Sequence, residues 1–346
     1  MNTKAYAAHS ATSKLEPWKL DRRDPNPDDV SIKINYCGVC HSDIHFAEND
    51  WGMTQYPVVP GHEIIGTVTA VGSDVNNFKV GDTVGVGCLV DSCRSCPSCA
   101  QGLENYCLEG FVGTYGGIGK DGQPTYGGYS DKIVVSERFV LKIPEKLDVK
   151  SAAPLLCAGI TTYSPLRHVN LSKGDTLGVV GMGGLGHIGI KLAKAMGAEV
   201  TVFTRSKHKI DEAKRNGADH VVISTDEDQM AAAAGSLNYI LDTVPVDHDF
   251  NPYLRALKLD GTYIVVGQIT PITQPLSAAD MIFMRRSVVG SLIGGIPETQ
   301  EVLDFCAEHD ISCDVEMIKM QDINEGYQRM KDSDVKYRFV IDMSSI

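Results

Sequence analysis

From residue 30 to about 145 the chain runs in short stretches rich in β-branched residues, cut by Gly and Asp: VSIKINYCG, GHEIIGTVTAVGSDV, FKVGDTVGVG and GGYSDKIVV. Runs of that length with that punctuation predict a mostly β, barrel-like region. Near residue 150 the period changes. DTLGVVGMGGLGHIGIKLAKAMGAEVTVFTR reads as strand, glycine turn, helix and strand, with Leu185, Ile188, Leu192 and Met196 recurring along one helical face. HVVI, NYILDTV, TYIVVGQ and SVVGSLIGG follow as strands with helical stretches between them. That alternation predicts a parallel sheet covered on both faces. The tail, YRFVIDM, is strand-like again and is expected to rejoin the first region.

A chain of 346 residues is long for one hydrophobic core, so two domains are expected. The net charge of −12 opposes a broad nucleic-acid or anionic-membrane surface, and neither partner is expected. No apolar run reaches the ~18 residues of a membrane span, and MNTKAYAAHSATSKLEPW lacks a secretory layout. A cytoplasmic setting follows as the expectation. Thiols stay reduced there, so clustered cysteines point to metal before disulfides.

CRSCPSCAQGLENYC places Cys93, Cys96, Cys99 and Cys107 within reach of one ion. Four thiolates around one centre favour zinc in a closed tetrahedral site, with an iron–sulfur centre or four free thiols as the alternatives. A closed site leaves no position for substrate, so its expected role is structural. The segment is poor in apolar residues, and ligation would order it.

VVGMGGLG sets Gly181, Gly183, Gly184, Leu185 and Gly186 between a strand and a helix, where backbone can approach a pyrophosphate at the helix N-terminus. The next strand ends in Thr204, Arg205, Ser206, Lys207, His208 and Lys209, with no carboxylate. An NAD site wants Asp or Glu there for the ribose hydroxyls. Hydroxyls and cations instead suit a 2′-phosphate, which selects NADP(H), against the alternative of an ordinary solvated basic turn. His187 reads as a plain helix residue.

Three further fragments carry candidate chemistry: CGVCHSDIH, PGHEIIG and the lone cysteine of PLLCAGIT. Each is weak alone. Together with the four-cysteine loop and the glycine turn, they resemble the zinc-dependent medium-chain alcohol dehydrogenases, and the cinnamyl alcohol dehydrogenase branch in particular. The resemblance spans nearly the whole chain. It implies an α/β fold: a GroES-like, mostly β catalytic domain over 1–153, completed by 293–346, and a Rossmann doubly wound parallel-sheet domain over 154–292. It implies a second zinc held by Cys40, His62 and Cys157, with Glu63 as the acidic residue that approaches the metal. Two thiolates and one imidazole leave a fourth position open. They also cancel the ion's charge, giving a milder Lewis acid than a three-histidine site. Asp43 is read as an orienter of a ligand rather than a ligand. Cys37 and Cys88 are read as small buried hydrophobes.

The resemblance also places Thr161 and Ser291 at the nicotinamide end, Arg338 at the cofactor phosphates and His41 at the pyrophosphate. It implies hydride transfer between a primary alcohol and an aldehyde, with Ser42 donating to the substrate oxygen and His45 passing the proton outward, against the alternatives of a turn-filling serine and a satisfied surface histidine. Trp51, Leu103, Phe111 and Tyr115 are candidate walls for an aromatic or medium aliphatic substrate, or else core. SVVGSLIGG is similar to the edge by which family dimers extend their sheets, so a homodimer is expected. The rival readings are an NAD-dependent polyol or secondary-alcohol dehydrogenase and a non-catalytic NADP(H)-binding zinc protein.

Overall fold

The glycine-cut runs of the first half pair into a largely antiparallel sheet in a computed structural model whose described residues are 2–346. The order is Val315–Lys319, Arg338–Asp342, Asp29–Gly38, Ile64–Val71, Thr83–Val86 and Leu141–Lys142, with Lys132–Ser136 also paired to Asp29–Gly38. Asp29–Gly38 is buried at Val30, Ile32, Ile34 and Cys37. The tail strand Arg338–Asp342 lies antiparallel to it, with Val340 opposite Gly38.

Thr161–Ile293 forms the second unit. Its six strands are parallel and run in the order His220–Ile223, Glu199–Thr204, Thr176–Val180, Leu237–Asp242, Leu257–Val265 and Ser287–Gly290. Strand order reverses between Thr176–Val180 and Leu237–Asp242, the place where open α/β sheets open a crevice at their carboxyl ends. The helix Gly184–Ala195 follows the first strand and buries Ile188 and Leu192, while Leu185 is half-buried at its start and Met196 caps its end.

The first unit extends to Ile160 and resumes at Gly294–Ile346. The sequence reading put these breaks at 153/154 and 292/293. Residues 154–160 belong with the β unit because they pack there: Leu156 lies against Gly85, and Ile160 against Gly294. Among the described residues no helix is long and apolar enough to cross a membrane. Among the described residues no cysteine is joined in a disulfide.

Candidate active site

Cys40 ends an extended segment and caps the helix His41–Ala47. Its backbone N–H donates to Asp43 Oδ2 at 2.8 Å, so the residue chosen from sequence as a ligand orienter also fixes the turn that presents Cys40. His62 and Glu63 directly precede the strand Ile64–Val71. Gly38 leaves room for the Glu63 carboxylate: a Cβ there would stand 1.9 Å from Glu63 Oε2. Cys157 follows the tight turn Ala153–Leu156.

These three segments bring one ligand atom each from Cys40, His62, Glu63 and Cys157 within 4.8 Å of one another, all four buried. The two sulfurs are 3.9 Å apart. Thiolates about 2.3 Å from one tetrahedral ion stand about 3.8 Å apart, so the pair fits a single zinc. A hydrogen bond from Cys157 pulls the Cys40 thiol well below its ordinary value, with the charge of Arg338 assisting, and Cys157 is pushed up in return. One of the two sulfurs is therefore readily an anion, as a ligand must be.

His62 Nδ1 lies 3.2 Å from Asp43 Oδ1 and 3.2 Å from the Tyr115 hydroxyl. Burial opposes charge on this ring, but Asp43 outweighs it and the net shift is well upward. An Nδ1–H facing the carboxylate leaves Nε2 as the nitrogen that could bind a metal. Asp43 is wholly buried and also accepts from Gly61 N–H at 3.0 Å and from the Tyr129 hydroxyl at 3.1 Å. Burial first, and then the charge of Asp43, keeps Tyr115 and Tyr129 protonated and able to donate.

Glu63 and Arg338 form a buried ion pair at 3.3 Å, and Arg338 also donates to the Val39 carbonyl at 3.1 Å. Burial pushes the Glu63 carboxyl up to about 7 against the opposing pull of Arg338. Neither carboxylate oxygen of Glu63 makes a hydrogen bond among the described residues. A buried carboxylate beside two thiols and an imidazole, ion-paired on one oxygen and hydrogen-bonded on neither, is what a cation at this point would satisfy.

Ser42 Oγ stands 3.7 Å from Cys40 Sγ. His45 lies one helical turn further on, and its Nδ1 is 2.7 Å from Asp50 Oδ2. Asp50 was missed in the sequence, because nothing in the spacing distinguishes it from a solvated loop acid. Trp51 packs against the His45 and Phe46 rings. Of the other proposed walls, Tyr115 lies behind His62, Phe111 is exposed, and Leu103 starts the turn Glu104–Tyr106. His41 is exposed on the same helix. Cys88 departs from its reading as a small buried hydrophobe. It is half-buried, and a hydrogen bond with Cys157 lowers its thiol below the ordinary value.

The four-cysteine loop is built differently. Cys93, Cys96, Cys99 and Cys107 also converge within 4.8 Å, with Cys93 and Cys99 sulfurs 3.8 Å apart. Backbone N–H groups point at the sulfurs: Cys96 N to Cys93 Sγ at 3.2 Å, Cys93 N to Cys107 Sγ at 3.3 Å, and Leu108 N to Cys96 Sγ at 3.5 Å. Such donors, from Cys99 and Leu108, pull Cys96 down to about 6, while burial pushes Cys99 up to about 11. The lobe also caps a helix: Glu104 Oε2 accepts from Ile296 N–H at 2.9 Å, the first residue of Ile296–Glu308.

In the second unit Gly186 is needed where it stands, since a Cβ would fall 2.2 Å from the Gly181 carbonyl oxygen. Gly183 caps the helix, and a Cβ on it would meet nothing within 4 Å, so that side of the turn is open. Lys209 folds back and donates to the Met182 carbonyl at 3.3 Å. Thr204 is buried and accepts from Ser206 N–H, while Arg205 is exposed. Thr161 is buried, and Ser291 N–H donates to the Val265 carbonyl. Open backbone next to hydroxyls and two cations fits a phosphorylated dinucleotide.

Comparison with known proteins agrees with this construction. Residues 26–145 match the alcohol dehydrogenase GroES-like domain, and residues 184–308 match the zinc-binding dehydrogenase family. The chain is 55% identical over 346 residues to the aldehyde reductase YahK of Escherichia coli, covering 99% of this chain and 98% of that one. It is 53% identical over 343 residues to an NADP-dependent alcohol dehydrogenase C of Mycolicibacterium smegmatis, with coverage of 99% and 98%. A solved cinnamyl alcohol dehydrogenase from Sorghum bicolor superposes with a TM-score of 0.96 at 46% identity, covering 99% of this chain and 98% of that one. With two cysteine-bearing clusters on a GroES-like unit and a glycine turn on a parallel sheet, the chain belongs to the zinc-dependent medium-chain alcohol dehydrogenases, in their cinnamyl alcohol dehydrogenase branch.

Proposed function

We propose that this chain reduces aldehydes to primary alcohols with NADPH, and runs the reverse oxidation with NADP⁺. Its substrates are aromatic or medium aliphatic. The observation that carries the reading is the buried cluster of Cys40, His62 and Cys157: three donors suited to zinc with a fourth position to spare. When bound, zinc polarises the carbonyl oxygen and NADPH supplies the hydride. The protein's own groups do the rest. Cys40, Cys157 and His62 hold the ion, and Asp43 fixes the His62 ring. Glu63, held by Arg338, is the acid beside it. Ser42 donates the proton that the new alcohol oxygen requires. His45, held at Nδ1 by Asp50, replaces it from solvent through Nε2. Cys93, Cys96, Cys99 and Cys107 hold a second, structural zinc.

Thr204, Arg205, Ser206 and Lys209 are assigned to the 2′-phosphate, and Gly181, Gly183, Gly184, Leu185 and Gly186 to the pyrophosphate. Thr161, Ser291, His41 and Arg338 complete the cofactor contacts. The absence of a carboxylate at the end of Glu199–Thr204 disfavours an NAD-dependent polyol dehydrogenase. The chain acts as a homodimer: Ser287–Gly290 is an edge strand with Val289 and Leu292 exposed beside it. Free thiol ligands suit the reducing cytoplasm.

The test follows nicotinamide absorbance with an aldehyde panel. NADPH is oxidised, NADH much more slowly, and a chelator stops the reaction. Faster turnover with NADH, or turnover indifferent to zinc removal, would sink the reading.

A further inference from the structure

Asp242 ends the strand Leu237–Asp242 at the point where strand order reverses, and it is wholly buried. Every side-chain oxygen it has is engaged. Oδ1 accepts from Val244 N–H at 3.0 Å, and Oδ2 accepts from the Tyr263 hydroxyl at 2.9 Å. His248 Nε2 lies 3.3 Å from that same Oδ2. The other ring nitrogen, Nδ1, is 2.9 Å from the Val246 carbonyl oxygen.

The two shorter contacts of this ring are acceptors, while the Tyr263 hydroxyl, 3.5 Å from Nε2, already donates to Asp242 Oδ2 at 2.9 Å. A neutral imidazole carries one N–H and satisfies only one of those acceptors, leaving a lone pair aimed at a carbonyl or a carboxylate. The contacts to Asp242 and to the Val246 carbonyl are both made only when both nitrogens carry protons. The half-buried ring is otherwise packed on Phe250, at 4.9 Å between centroids, and on Tyr253 at 6.0 Å. Burial opposes the charged ring, but Asp242 and the Val246 carbonyl outweigh it and shift His248 above its ordinary value. The other titratable groups facing it are Tyr263 from the neighbouring strand, Tyr253 from the helix Asn251–Ala256, and Asp247 and Asp249 from its own loop. Asp247 is in turn bonded to Thr273 and Gln268.

The segment that this ring ties down backs onto the glycine turn. Thr243 Oγ1 donates to the Val180 carbonyl at 2.8 Å, and a Cβ on Gly181 would meet Thr243 Oγ1 at 3.1 Å and Val244 Cγ2 at 3.2 Å. Tyr253, on which the ring packs, stands edge-on to Phe203, next to Thr204 at the end of its strand. The cluster therefore lies against the glycine turn and against the strand that ends in Thr204. Resting on the NADP(H) reading above, we propose that His248 is a positioning residue: as an imidazolium between Asp242 and the Val246 carbonyl, it holds residues 243–248 as the wall against which NADP(H) seats. Cofactor affinity then carries the protonation state of this ring.

The sign follows from the upward shift. The charged contact is complete at low pH and is lost as pH rises through the ring's folded value, so binding weakens on the alkaline side. The experiment is a fluorescence titration of the zinc-loaded protein with NADPH across about pH 6 to 9. It compares wild type, His248→Gln, which donates to Asp242 without titrating, and His248→Lys, whose charge persists. The nucleotide's own phosphate titration is common to all three and cancels. Wild type is expected to lose about fivefold or more in affinity, beyond the trend of His248→Gln, as pH rises. His248→Lys is expected to bind more tightly than wild type at the alkaline end. Circular dichroism and zinc content, unchanged in both variants, separate this from misfolding. Parallel pH trends in wild type and His248→Gln overturn the proposal while leaving the cofactor assignment standing. Failure of wild type to bind NADPH at any pH overturns both.

Discussion

Two cysteine clusters in one β unit are assembled in opposite ways. The lobe of Cys93, Cys96, Cys99 and Cys107 comes from fifteen contiguous residues, two of its sulfurs belong to half-buried residues, and its support is backbone N–H groups donating to sulfur. The cluster of Cys40, His62, Glu63 and Cys157 joins sulfurs 117 positions apart, is fully buried, and is supported by side chains. A contiguous cluster gains order from its ion and needs little from the surrounding fold. A dispersed one is positioned by the fold beforehand, so it can leave a coordination place empty without collapsing. On the proposed reading, scaffold and chemistry are separated by how the ligands are strung along the chain.

The sharpest way to break that contrast is to remove one sulfur from each side. Cys157→Ala should lower zinc from two ions to one, cut aldehyde reduction by about a thousandfold or more, and barely move the melting temperature. Cys99→Ala should also leave one zinc, but with melting lowered by roughly 10 °C and near-normal turnover in the fraction that folds. Equal stability and equal activity in the two variants would erase the distinction.

A smaller effect probes the support itself. Asp43→Asn removes the anion facing His62 and weakens the cap on Cys40. Zinc affinity at that cluster should fall about 10- to 100-fold, measured by competition with a chelator, with the four-cysteine lobe unaffected. Smallest is Asp50→Asn, which unties His45 Nδ1. Steady-state kinetics should show kcat lowered about fivefold with KM for NADPH unchanged. A shift confined to KM would remove Asp50 from the proton route.

What the sequence made legible follows the same division. The alternating runs and the glycine turn announced both sheets, because strand period and turn chemistry are local. The four-cysteine spacing announced its cluster for the same reason. Cys40, His62 and Cys157 became readable only jointly, through resemblance, since no short-range pattern links residues so far apart. Asp50 and Tyr129 escaped altogether: each reaches its partner through tertiary packing, Tyr129 from 86 positions away. Cys88 reads from sequence as a small buried hydrophobe because a lone cysteine carries no periodic signal, and its neighbour Cys157 is adjacent only in the fold. The break after Ile160 fell later than expected because Leu156 and Ile160 pack where the β unit needs apolar side chains.

Loading both proposed sites with cobalt tests the central claim most directly, because cobalt's visible absorption reports ligand number and geometry at each site. Two tetrahedral, thiolate-rich spectra are expected. Adding an alcohol with NADP⁺ should change one of them, and that one should be missing in Cys157→Ala while the other persists. If substrate instead perturbs the spectrum that disappears in Cys99→Ala, or perturbs neither, the open place formed by Cys40, His62 and Cys157 is not where the chemistry occurs.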